Sequence, residues 1–478
     1  MGCKVVLGEI CSFSRGASVP RARMLDQGDF LYIHYGDLYK GFDVRIDVDN
    51  PQKPIPYIAG SEPIRESQLL CDQDIVYVLT SETVEDLGHA FLFNNPKELP
   101  AVAGTETTIV RVNRPDLVLP SYLNWLFQSA RFKKLLRQYV KGMKVFRVHP
   151  DDLAQIEIEI PSIDDQRRIV SILDATFERS LINNRINGYL LELLKVSAKN
   201  LYAEYERNEE LELPVGWRWI EVDEISKMVC RGITPKYNPN SDETVLGQTC
   251  VRNNLVLLEN GRLHSPKKVT EKWLQKYDLL INSTGIGSLG RTAQIWFEPT
   301  KLVVDSHVTI VRCKDGEHAL YLGFWAFEHE KYIESLHTGS TGQTELPRDH
   351  VKAIRLVLPS DEALERFNKM SEPSVELIAA NQEESKRLAD LRDALLPKLV
   401  SGEIDVSRID LTQLNSHLGE KSIDDILRCT YQPHLPFNFS AYLTGRKFLV
   451  CRREDVLGCK QRFSAFLFMH IGACLFQR

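Results

Sequence analysis

DDLAQIEIEIP (residues 151–161) reads as a short strand closed by proline, and a long helix-like run follows at once. DHVKAIRLVLP (residues 349–359) repeats that punctuation 198 residues later, again before a long helix-like run. The correspondence extends outward from both stretches, at nearly constant offset from residue 107 onward. TTIVR (107–111) answers VTIVR (308–312), and Tyr122-Leu123 answers Tyr321-Leu322. LGEI (7–10) answers VDEI (222–225), and Arg15-Gly16-Ala17-Ser18 answers Arg231-Gly232-Ile233-Thr234. Downstream, Asn183, Leu190, Leu193 and Leu201 answer Asn381, Leu388, Leu391 and Leu399. The repeating unit is therefore a globular domain of ordinary size plus one long helix, used twice. A period of this length excludes a solenoid, and duplicated domains tend to face each other across a pseudo-twofold axis.

Each globular half reads as mixed α/β. FLYIHYG, DIVYVLT, TTIVRV, DLLINST, AQIWFE and LVVDSHVTIVR have strand composition. SYLNWLFQSARFKKLLRQYV and ALYLGFWAFEHEKYIESL have helical periodicity. In the first long helix Ile182, Ile186, Tyr189, Leu193 and Val196 step 4-3-4-3, the spacing of a coiled-coil seam. Leu388, Leu391, Leu395 and Leu399 continue that spacing in the second. Ser162 with Asp165 makes a capping box at the start of the first helix. Pro373 interrupts the second, with Ser371 read as the N-cap of a fresh start. Asn183 and Asn381 lie on or beside the seam, where a polar residue fixes register; simple exposure is the other reading. A helix of about 38 residues is roughly 57 Å long, so two side by side make a spacer rather than a core. The expected order is a first head (1–161), a first spacer helix (162–212), a second head (213–359), a second spacer helix (360–408) and a tail (409–478).

The 478 residues are 43% apolar and 26% charged, enough to bury a core in each domain. The net charge of −6 argues against uniform coating of nucleic acid but not against local basic faces. One such face is plain. Residues 131–147 carry seven Lys/Arg and no Asp or Glu, with Tyr139 and Phe146 interleaved. Lys141, Lys144 and Arg147 suit phosphate contact, and a solvated helix face is the bland alternative. The corresponding place in the second head (337–350) offers Thr341, Gln343 and Thr344 instead. A glutamine can read an adenine edge, or the segment is an ordinary turn. His34 and Tyr35 in the first head match Arg252 and Asn253 in the second, and Arg15 matches Arg231. INSTGIGSLGRTA (281–293) contains GxGxxG, but no helix and no acidic residue follow at the distance a dinucleotide fingerprint needs. It reads as a hairpin loop offering Ser283, Thr284 and Arg291 to DNA.

Ten scattered cysteines show no C-x2-C pair and no Cys/His ligand spacing, which argues against zinc and for a reducing cytoplasm. No signal-peptide pattern and no apolar run of membrane-spanning length is present. The sequence lacks GxxxxGK[ST], HExxH, GxSxG and the Asn/Asp-Pro-Pro-aromatic tetrapeptide shared by adenine methyltransferases, so no catalytic residues are expected.

LPVGWRWIEVDEI (213–225), KVFRVHPDDLAQIEIEIPSIDDQRRIVSILD (144–174), TGQTELPRDHVKAIRLVLPS (341–360) and LRDALLPKLVSGEIDVS (391–407) together resemble the specificity subunit of Type I restriction-modification systems. The resemblance covers residues 1–408. It implies two target recognition domains, each reading one half of a bipartite asymmetric site in double-stranded DNA. It implies antiparallel helices that set the gap between the half-sites, each helical region docking one of two modification subunits. Those subunits would carry S-adenosylmethionine and methylate adenine; separate restriction subunits would use ATP and Mg to translocate and cleave. Half-sites on one face of DNA lie about 34 Å apart, within reach of two heads on such a rod. Three features depart from the family. The Gly216-Trp217 lead-in has no counterpart before the first head, so a shorter opening strand is expected there. Pro373 stands where the first helix has Ala175. About 70 residues follow Ser407 without a counterpart, either an added module or a reading-frame accident. Two other readings stay open: a duplicated coiled-coil scaffold without DNA recognition, and an enzyme whose site forms only between the heads.

Overall fold

The computed structural model describes residues 2–39, 41–84, 87–265, 271–339 and 344–409. The described residues divide into two compact units, one drawn from residues 2–179 and 387–409, the other from residues 180–386. Each contains one head and a share of both long helices.

In the first unit a five-stranded sheet runs Cys11–Arg15, Thr107–Val112, Ile75–Val78, His89–Asn94, Arg45–Asp47. Its neighbours are antiparallel except the last pair. A second sheet of three strands places Phe30–Ile33 between Tyr57–Ile58 and, in parallel, Ala101–Ala103. Ile33, Ile46, Val76, Val78, Phe91, Phe93 and Ile109 form the core between them. The second unit builds the same pattern from different residues. Its main sheet runs Ser226–Arg231, Val308–Cys313, Leu279–Asn282, Thr292–Gln294, and its smaller sheet pairs Glu243–Leu246 in parallel with Leu302–Val304. The opening strands are equally long: Cys3–Val6 pairs with Glu157–Ile160, and Arg218–Glu221 with Arg355–Leu358. The shorter first strand expected from the missing Gly-Trp is therefore not observed; four ladder positions suffice without it.

The repeat is structural as well as textual. LGEI and VDEI are both single-turn helices (Leu7–Ile10, Val222–Ile225). In each, the glutamate at the third position accepts a backbone N–H from the residue before the turn, Glu9 from Val6 at 3.4 Å and Glu224 from Glu221 at 2.9 Å. This satisfies one of the donors a helix start leaves over. Gly16 donates to the Thr107 carbonyl and Gly232 to that of Val308. A Cβ on Gly16 would lie 1.9 Å from the Gly104 oxygen, and one on Gly232 2.1 Å from the Val304 oxygen. Both positions require glycine for close approach of two backbones.

The long helices span Ile163–Arg207 (45 residues) and Asp361–Val400 (40 residues). Ser162 Oγ accepts from Asp165 N at 3.2 Å and donates to its carboxylate at 2.7 Å, which closes the expected cap. The second helix runs through Pro373 without restarting. Ser371 is no N-cap; its Oγ donates to the Phe367 carbonyl at 2.8 Å, inside the helix. Lys369 and Pro373 lie on the exposed face, where water can take the carbonyl that proline leaves without a donor.

Within the second unit the two helices pack antiparallel through buried amides. Asn183 Nδ2 donates to Glu384 Oε2 at 2.9 Å, while Asn187, one turn on, donates to the Ile378 carbonyl at 3.4 Å. Asn381 Nδ2 donates to Asn187 Oδ1 at 2.6 Å. Asn183 and Asn381 are both fully buried. The expected seam needs correcting accordingly. Ile186, Leu388, Leu391 and Leu395 are buried, but Tyr189 is 52% and Val196 53% exposed, and Ile182 and Leu193 are only half-buried. The buried stripe is Asn183, Ile186, Asn187, Leu190, Leu194, Ala198 and Tyr202, one residue on from the predicted phase. The amides take the inner phase because their hydrogen-bond partners lie on the other helix.

Each head is fastened to the first long helix by a tryptophan. Trp125 Nε1 donates to Asp174 Oδ1 at 2.8 Å, and Arg45 pairs with Asp174 at 2.9 Å and Glu178 at 2.5 Å. Trp325 Nε1 donates to Glu206 Oε1 at 2.6 Å, and His329 Nε2 lies 3.1 Å from the other oxygen, its ring stacked 4.0 Å from the indole. Burial pushes the Asp174 carboxyl above its ordinary pKa, against the pull of Arg45 and Trp125.

Candidate nucleic-acid interface

In the first head the basic run begins on the helix Ala130–Leu136, capped by Ser129, whose Oγ accepts from Phe132 N at 3.2 Å. Phe132 and Leu136 are buried, which turns Arg131 and Lys134 outward. The chain then reverses: Lys141 and Arg147 exchange backbone hydrogen bonds of 2.9 and 2.8 Å. Gly142 makes the turn at φ +118°, where a Cβ would lie 2.0 Å from the Val145 oxygen. Met143 at the tip is 94% exposed. Lys141 pairs with Asp152 at 2.8 Å and Arg147 with Glu106 at 3.5 Å. Lys144 is exposed and has no ion-pair partner among the described residues.

Arg15, at the end of its strand, reaches His149 Nε2 at 2.7 Å, and His149 Nδ1 lies 3.2 Å from Asp151. His34 Nδ1 accepts from Gly36 N at 3.1 Å, so its ring caps the turn Tyr35–Leu38 and leaves Tyr35 38% exposed. Burial lowers the His34 pKa, with Asp37 opposing and Arg21 and Lys53 adding to the shift. Ile33 accepts from Gly104 N at 2.9 Å, which sets His34 beside the turn carrying Glu106, the partner of Arg147.

In the second head, Val251–Arg252 pairs with Leu255–Val256 through Asn253 and Asn254, at φ +54° and +60°. This is the two-residue hairpin turn that asparagine favours. Asn254 is buried on Glu330 (3.0 Å), while Arg252 and Asn253 face solvent. The GxGxxG stretch is a hairpin loop between the antiparallel strands Leu279–Asn282 and Thr292–Gln294, as expected. Gly285, Gly287 and Gly290 all have positive φ. Ile286 is 86% exposed. Two candidates are removed as contact residues. Ser283 is fully buried, its hydroxyl 3.1 Å from the Ile281 carbonyl and 2.6 Å from Thr309, because the strand's geometry continues one residue past its end. Arg231 is a tie rather than an outward cation. It donates to the Ser306 carbonyl (3.1 Å), the Leu346 carbonyl (2.8 Å) and Glu345 (2.8 Å), with 18% of its side chain exposed. Burial lowers its pKa, against Glu345 and with Arg348. Thr284 Oγ1 accepts from Gln248 Nε2 at 3.0 Å and lies 2.9 Å from His307 Nδ1. Arg291 and Thr344 are half-buried. Thr341 and Gln343 lie outside the described residues.

Further residues of the second head stand at the same edge. Thr338 and Glu345 exchange backbone bonds of 2.8 and 3.0 Å, as Lys141 and Arg147 do in the first head. Glu345 thus occupies the place of Arg147, and His307 the place of Glu106. At the place of Arg147 and Glu345 the two heads carry side chains of opposite charge. Nothing local in TGQTELP distinguishes Glu345 from a solvated glutamate; only the pairing across the edge does.

The Type I restriction modification DNA specificity domain matches residues 4–190. Those residues cover the first head and part of the first long helix. The second copy lies beyond that match and is tied to the first by the repeated framework. The chain is similar to the Type I restriction enzyme MjaIX specificity subunit of Methanocaldococcus jannaschii, 24% identical over 316 residues, which are 62% of this chain and 71% of that one. It is also similar to the Type I restriction enzyme HindI specificity subunit of Haemophilus influenzae, 35% identical over 85 residues, 18% of each chain. In fold it is similar to the Type I restriction-modification S subunit from M. genitalium, with a TM-score of 0.54 at 13% identity, covering 84% of this chain and 96% of that one. Among the described residues no helix is long and apolar enough to cross a membrane.

Proposed function

We propose that this chain is the DNA-recognition subunit of a Type I restriction-modification complex. Each head reads one half of a bipartite site, and the paired helices set the gap between the halves. The observation that carries this reading is the edge just described: one framework, built twice, presents Lys141, Lys144 and Arg147 in one copy and threonine and glutamate in the other. A scaffold has no need to vary one edge while keeping the buried framework. Two edges with different hydrogen-bonding chemistry are what two different half-sites require. The modification subunits dock on the helical regions, one on each, and supply S-adenosylmethionine and adenine methylation. Restriction subunits supply the ATP- and Mg-dependent steps, and this chain supplies sequence choice alone.

The test is the adenine-methylation map of cells expressing this chain with its modification partner, against cells lacking it. The expected result is a single bipartite motif with a fixed gap, lost on deletion. Unchanged methylation, together with no sequence preference in DNA binding by the assembled complex, would leave the scaffold reading.

A further inference from the structure

We infer that Glu345 is a specificity-determining residue of the second head, accepting a hydrogen bond from the exocyclic amino group of a cytosine in the major groove. The inference rests on the DNA-recognition function proposed above and names one contact within it.

Three observations carry it. The first is preorganisation. The Glu345 backbone is bonded to Thr338 in both directions, and the next residue, Leu346, donates to the Ser283 carbonyl at 2.9 Å. Arg231, itself held by two carbonyls, grips Oε1 at 2.8 Å. The second is availability. The Glu345 side chain is 63% exposed, and only one of its oxygens has a partner among the described residues. The Arg231 contacts to Ser306 and Leu346 do not depend on it, so the pair is more than a structural latch. The third is position. Glu345 stands where the first head has Arg147, at the paired edge in both. Arginine only donates and a carboxylate only accepts. An arginine suits the guanine edge, whose major-groove groups are acceptors; a glutamate suits the cytosine amino group. A phosphate is excluded as its partner by like charge.

The experiment uses the assembled complex and a library of duplexes carrying the wild-type site with each position varied in turn. Glu345→Gln keeps an oxygen for Arg231 and places an amide where the second oxygen was. At one position in one half-site, preference is expected to move from cytosine toward bases that present an acceptor there, by roughly tenfold, with the other half unchanged. Glu345→Asp keeps the charge and shortens the reach. It is expected to weaken discrimination at the same position, and it carries the test if E345Q does not assemble. An unchanged profile at every position, or a loss spread evenly over both halves with a lowered melting temperature, would overturn the assignment. Absence of a bipartite motif in the wild-type map would instead overturn the functional reading beneath it.

Discussion

In the first head Arg111 grips Asp74 through two parallel bonds, Nε at 2.9 Å and Nη2 at 2.7 Å, and also reaches the Leu69 carbonyl. In the second, Arg312 grips Asp278 at 2.7 Å through the same two atoms and reaches the Trp273 carbonyl. At the outer edge of the same heads the likeness ends: Arg147 faces Glu106, while Glu345 faces Arg231. A buried bidentate pair has one good solution, because an unpartnered buried carboxylate is costly. An exposed edge has many, because water satisfies whatever stands there. Duplication therefore leaves the inner contacts recognisable and lets the outer ones diverge, which is where two half-sites would be told apart.

The inner pairs are not equally deep, and this gives the largest expected effect. Asp278 is fully buried and Arg312 is 11% exposed, whereas Arg111 is 40% exposed over a nearly buried Asp74. Arg312→Met should cost about 3–5 kcal/mol. Arg111→Met should cost less, about 1–3 kcal/mol, since water can enter. Urea unfolding of the two variants measures the difference; equal costs would mean that burial does not separate the heads. Burial, opposed by its bonds to Arg312, already holds the Asp278 carboxyl above its ordinary pKa of 3.8, and losing Arg312 raises it further. A raised carboxyl favours the folded state below its unfolded pKa and loses that contribution as pH rises through the folded value. The R312M deficit should thus be greatest at neutral pH and shrink as the pH approaches about 4.

A smaller effect tests the helices against the heads. Asn187 and Asn381 are each other's partners in a buried seam. Asn381→Leu takes the donor from Asn187 Oδ1, while Asn187 Nδ2 keeps the Ile378 carbonyl, and should cost about 1–3 kcal/mol. The Asn187→Leu, Asn381→Leu double variant removes both groups and should recover most of that, giving a coupling of about 0.5–3 kcal/mol in a double-mutant cycle. Additive costs would show that the amides are satisfied separately, and that the seam lacks the register lock its two asparagines suggest.

Much of this architecture was legible because it is local. TTIVR and VTIVR, LGEI and VDEI, and the proline-closed strands before each long helix all announce themselves in a few residues. The seam's phase was not, because Ile182-Ile186-Tyr189 and Asn183-Ile186-Leu190 are both acceptable stripes on one helix. The choice is made by amide partners almost 200 residues away. Pro373 misled for the opposite reason: its local rule is sound, but the carbonyl it deprives lies on the exposed face. The Arg–Asp grips and the Arg231–Glu345 tie join residues far apart in sequence, and no spacing rule reveals them. Ser283 shows the reverse error, a loop-like residue that the strand carries inward.

The smallest effect falls on the edge itself. Lys144 has no ion-pair partner among the described residues, whereas Lys141 would exchange Asp152 for phosphate. An exchange of partners gains less than a first partnership, and exposed pairs are worth little to begin with. Lys144→Ala should therefore lower the slope of log K against log salt by about 1, the change for one lost phosphate contact. Lys141→Ala should lower it by less, and Glu345→Gln in the second head should leave it nearly unchanged while altering base preference. DNA binding by the assembled complex across a salt series separates these outcomes. An unchanged slope in the Lys144→Ala complex would return residues 131–147 to the reading of a solvated basic face, and the two heads would then differ in base contacts without differing in how they hold the backbone.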